Sequence, residues 1–105
     1  MNGLEKYEKV KAVVKEYYDN NFAAASDGYM PSKEGEDHII EIGTSILCTK
    51  YDLGPRGGGF VESIVDNDLT AAITRADSTN LRALRFYVLL SYNVGYALFE
   101  EDLIA

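Results

Sequence analysis

The stretch that decides the fold is Lys33-Glu34-Gly35-Glu36-Asp37-His38-Ile39-Ile40-Glu41-Ile42-Gly43-Thr44-Ser45-Ile46-Leu47-Cys48-Thr49-Lys50-Tyr51. Its apolar residues satisfy two periods. Ile39, Ile40, Ile42, Ile46, Leu47 and Tyr51 share a helical stripe, while Ile40, Ile42, Ile46 and Cys48 alternate as a strand would. The β-branched content favours a strand. Two considerations favour a helix. The helical stripe takes in more of the segment, and no other stretch of the chain reads as a strand. A lone strand would leave its ladder groups without partners. The segment is therefore read as a helix over 33–51, with Ser32 as N-cap.

The flanking segments read more simply. Residues 3–25 carry Leu4, Tyr7, Val10, Val14, Tyr17, Tyr18 and Phe22 on one face, with charged side chains mostly outside it. Asn2, three residues before Glu5, suits a capping box. Residues 59–76 hold an apolar arc of Phe60, Val61, Ile64, Val65, Leu69, Ala72, Ile73 and Ala76. Residues 79–100 are apolar almost all round, which predicts the central and most buried helix, or one that also forms a subunit interface, capped by Asp77 or Ser78. Breaks fall at 26–32, 52–59 and 76–79, where Gly, Pro, Asp and Ser gather. The expected fold is all-α: a single domain of about four helices with the C-terminal helix central.

Composition bounds the function. The chain has 105 residues, 47% hydrophobic and 26% charged, and a formal net charge of −7. That is one globular domain. Such acidity is repelled by phosphate backbones and anionic membranes, so neither nucleic acid nor membrane is an expected partner. One cysteine forbids an internal disulfide, and one histidine with one cysteine excludes the usual zinc sets. No metal and no cofactor is expected. The N-terminal residues contain no signal-like apolar core, so a cytoplasmic location is expected, with Cys48 a free thiol. The apolar run from Phe86 to Phe99 is too short and interrupted to span a bilayer, which takes about 20 residues.

Three groups of residues could carry a function. Asp68 falls within the apolar arc of the third segment, where a buried carboxylate needs a partner. Arg75, Arg82 and Arg85 follow it, so a structural ion pair between Asp68 and one of them is expected to join the last two helices. Arg56-Gly57-Gly58-Gly59 leads into a helix whose free amides could bind an anion. No Walker or dinucleotide pattern accompanies these glycines, and Asp52 and Glu62 flank them. Finally, eight tyrosines exceed what four short helices comfortably bury. Tyr17, Tyr18, Phe22, Tyr87, Tyr92 and Tyr96 are the interface candidates.

Catalytic patterns are thin. His38 and Cys48 would lie about 15 Å apart on one helix. Asp66-Asn67-Asp68 lacks the glycine and distal glutamate of a calcium loop. No catalytic residue is assigned. The expected function is a non-enzymatic interaction or assembly module, binding itself or another protein, with a basic partner suited to its charge. A special case is an acidic decoy that occupies a nucleic-acid groove of its partner, as an inhibitor or a viral or mobile-element accessory protein would. The alternative is a small protein that binds an anionic ligand, or acts on one, at the glycine loop.

Overall fold

Asn2 starts the first helix as its N-cap, with one half of the expected capping box formed. Its side-chain oxygen accepts from the Glu5 amide at 2.8 Å. Helix α1 (Gly3–Ala25) then buries Val10, Val14, Tyr18 and Phe22 in line. It ends where Gly28, at φ 83°, takes a left-handed turn and donates to the Ala23 carbonyl at 2.8 Å. The structure, a computed structural model, describes residues 1–105.

Helix α2 (Lys33–Tyr51) settles the ambiguous stretch in favour of the helical period. Ser32 caps it, accepting from the Gly35 amide at 3.2 Å. Lys33 bridges Glu36 and Asp37 at 3.2 and 3.1 Å. Ile39, Ile46, Leu47 and Cys48 are buried, as is Thr44, whose hydroxyl returns to the Ile40 carbonyl at 2.8 Å. Gly43 marks the point where α1, α2 and α6 meet. A β-carbon there would lie 2.9 Å from Leu90 and 3.0 Å from Val14. Asp52, in the left-handed region, ends the helix.

The third predicted helix is two. Helix α3 (Gly59–Val65) stops at Asp66, Asn67 turns left-handed at φ 58°, and Asp68 caps α4 (Leu69–Arg75). Asparagine and aspartate suit these positions because their short side chains tolerate the left-handed region and cap helices. The fourth predicted helix is three: α5 (Ser78–Arg82), α6 (Leu84–Asn93) and α7 (Gly95–Glu100). The junctions at Ala83 and Val94 keep the helical hydrogen bonds Tyr87 to Ala83, Val94 to Leu90 and Leu98 to Val94. The chain therefore bends at these points without reversing.

The molecule is all-helical with seven helices, where the sequence predicted about four. Helix α6 packs against α1, α2 and α3 through Phe86, Tyr87 and Leu90. An aromatic group binds these helices together. Phe22 stacks on Tyr18 with centroids 4.5 Å apart and meets Phe86 edge-on at 5.2 Å. Phe60 of α3 meets Tyr87 edge-on at 5.7 Å. The outer side of α6 is uncovered. The C-terminal segment is thus buried on one face only, a correction to its expected burial all round.

Candidate interaction surface

The glycine loop is built for packing. A β-carbon on Gly57 would lie 2.5 Å from the Ser45 hydroxyl and 2.6 Å from Val61, so only glycine lets the loop lie on α2 and α3. The Gly57 amide donates to the Thr49 hydroxyl at 2.9 Å. Arg56 pairs with Glu62 at 3.3 Å, which meets the charge an anion would need. Gly58 precedes α3 as its cap, with no side-chain capping bond. Arg75 donates to the Gly59 carbonyl at 3.1 Å and to the Ser63 hydroxyl at 3.0 Å, closing the loop against α4.

The expected ion pair at Asp68 does not form. Asp68 is exposed and accepts from the Ala71 amide at 3.1 Å as the cap of α4. The break at Asn67 removes it from the apolar arc on which the pairing rested. Arg75 is engaged as above. Arg82 lies over the Tyr29 ring, 5.0 Å from its centroid. Arg85 is exposed and makes neither an ion pair nor a hydrogen bond. It is the one arginine of four with no internal partner.

The aromatic candidates divide. Tyr18, Phe22 and Tyr87 belong to the core. Burial pushes the Tyr18 hydroxyl up to about 12, with Glu36 and Asp19 adding to the effect. Burial also raises Tyr87, whose hydroxyl donates to the buried Asn80 side chain at 2.7 Å. Tyr17 is half-buried against Phe86 at 5.8 Å. Tyr92 and Tyr96 are 85% and 72% exposed. The neighbours of Tyr92 explain its outward position. Lys50 donates to Ser91, and Asn93 donates to the Tyr17 hydroxyl at 3.3 Å. Both flanks of α6 are therefore tied to the body, and Tyr92 stands between them facing solvent.

Tyr92 and Tyr96 have company that sequence reading assigned to the core. Of ten exposed large hydrophobic residues, seven lie between positions 69 and 99: Leu69, Ile73, Leu81, Val88, Tyr92, Tyr96 and Phe99. That concentration separates them from the scattered apolar residues found on any surface. Leu81, Val88, Tyr92, Tyr96 and Phe99 recur at intervals of seven, four, four and three along α5 to α7. Leu69 and Val88 also border an apolar groove of about 180 Å³ between α4 and α6, lined by Ile64, Ala72 and Leu84. The sequence did carry a signal for this surface: the last segment has more apolar residues than one face can bury.

Between α7 and α1 lies a cleft of about 320 Å³, lined by Glu16, Asn20, Asn21, Glu100 and Glu101 among others. His38 is exposed, with Nε2 3.5 Å from an Asp77 oxygen. Cys48 is buried in the core, which raises its thiol pKa and disfavours the thiolate. No group of three His, Cys, Asp or Glu side chains is placed to hold a metal ion, and no helix is long and apolar enough to cross a membrane. No family model, curated protein or solved structure matches the chain.

Proposed function

We propose that this protein is a non-enzymatic protein–protein interaction module that works through the outer face of α5 to α7 and the adjoining α4. The observation that carries the reading is the exposed apolar series Leu81, Val88, Tyr92, Tyr96 and Phe99. Exposed apolar side chains concentrated along one segment favour an interaction site, because covering them removes apolar surface from water. Tyrosine supports the reading further, since it offers large contact area, little entropy to lose and a hydroxyl for the rim. Ser91 and Asn93, on either side of Tyr92, are bonded to Lys50 and Tyr17 of the body, which lowers the ordering needed on binding.

Photo-cross-linking in the cell of origin tests this. Tyr92 is replaced by a photoreactive phenylalanine analogue, and Lys9, exposed on α1, carries the same group as control. Adducts with a polypeptide at position 92 and few at position 9 support the module. Equal labelling at both positions counts against it.

A further inference from the structure

The exposed series on the C-terminal helices is symmetric about Tyr92. Val88 and Tyr96 stand four residues either side of it, and Arg85 and Phe99 stand seven either side. Two α6–α7 segments crossing antiparallel with Tyr92 on the axis would set Val88 against the partner copy's residue 96. Arg85 would meet residue 99, next to residue 100. An arginine facing a phenylalanine ring and a carboxylate is favourable on both counts.

Charge supplies the second reason. Two chains of net charge −7 repel, so a shared face must be compensated locally. Arg85 is the single arginine left without an internal partner, and it stands at one end of the stripe. Glu100, exposed and free of ion pairs, follows Phe99 near the other, on the rim between the stripe and the α1–α7 cleft. Antiparallel pairing brings each positive end to a negative end twice. Parallel pairing would place like charges together.

We infer that this face pairs with a second copy of the same chain, as a two-fold antiparallel contact centred on Tyr92. The inference rests on the interaction-module reading and names its partner. From Arg85 to Phe99 the contact spans α6 and α7, at most about 21 Å at the helical rise of 1.5 Å per residue. A bent helical segment of that length covers less than the about 800 Å² per partner of a standard interface. The dimer is therefore expected to dissociate on dilution through the micromolar range.

Sedimentation equilibrium of the full chain over a dilution series tests this, with circular dichroism confirming that each variant is helical. The wild type is expected to move from twice 11.6 kDa toward 11.6 kDa as it is diluted. Arg85→Glu and Glu100→Arg should each weaken the dimer about tenfold, because two-fold symmetry counts each reversal twice. An equimolar mixture of the two variants should regain wild-type association, since each supplies the charges the other lacks. Tyr92→Glu, which sets two carboxylates at the axis, should abolish the dimer. A wild type that is monomeric at every concentration overturns the inference. So does an Arg85→Glu variant that dimerises as the wild type does, or a mixture that does not associate. Cross-links from position 92 to a different polypeptide, with a monomeric wild type, would remove this inference and leave the module reading standing.

Discussion

Replacing Tyr87 by phenylalanine removes one oxygen atom from a fully buried ring and changes little else. The hydroxyl donates to the Asn80 side-chain oxygen at 2.7 Å, and Asn80 is itself only 5% exposed. No water reaches the acceptor once the donor is gone. Leaving a buried acceptor unsatisfied costs about 1–3 kcal/mol, more than the net worth of the bond itself. In a domain of this size each kcal/mol lowers the melting temperature by about 4 °C, so Tyr87→Phe should melt roughly 4–12 °C below wild type. Asn80→Ala orphans the hydroxyl instead and should cost a similar amount. Because both changes break one bond, the double variant should lose clearly less than the sum of the singles. Thermal denaturation followed by circular dichroism measures all three. A Tyr87→Phe protein that melts with wild type, or strictly additive losses, would refute the role given to this bond in joining α5 to α6.

Other consequences follow from the same geometry. Gly57→Ala drives a methyl group into Ser45 and Val61 and should destabilise by about 1–3 kcal/mol, whereas Gly58→Ala, which meets open space, should be much milder; chemical denaturation distinguishes them. Asp68→Ala should lose only the cap of α4, about 1 kcal/mol, and a loss of several kcal/mol in the same assay would restore the ion-pair reading. The raised Tyr18 pKa, about 12 in the fold against 10 in the free side chain, has a definite sign. Below pH 10 both states hold the proton and stability is unaffected. Between pH 10 and 12 only the unfolded chain releases it, so stability falls across that window. Tyr18→Phe should reduce this alkaline loss, to which the raised Tyr7 and Tyr87 also contribute, and an unchanged slope in a pH-dependent melting series would contradict the raised Tyr18 pKa.

Most of the fold was legible where one physical signal dominated. Helices α1 and α2 begin and end as their caps dictate, at Asn2, Ser32 and Asp52. The period of residues 33–51 outweighed its β-branched composition because a helix satisfies its own backbone and a lone strand does not. The break at 66–68 was concealed by arithmetic. Val65 and Leu69 are four apart, so a helical wheel passes smoothly over a turn that inserts no irregular spacing. The run Asp66-Asn67-Asp68 was the available clue, since these residues favour turns and caps over helix interiors. Misplacing that turn put Asp68 on a buried face and produced the ion pair that the structure lacks. The C-terminal segment misled differently. Apolar residues on every side suggest burial on every side, but the sequence does not say whether the cover comes from within the chain. Here the chain covers Phe86, Tyr87 and Leu90 and leaves Val88 and Tyr92 open. The tyrosines named as interface candidates divided, Tyr18 and Tyr87 going to the core while Tyr92 and Tyr96 faced outward.

Mass analysis of the material cross-linked through position 92 bears most directly on the function proposed for this surface. Covalent adducts with a polypeptide, whether a second 11.6 kDa chain or another protein, are the expected product. Recovery of small-molecule adducts alone at position 92, with no polypeptide joined to it, would contradict the reading of this face as a protein-binding surface.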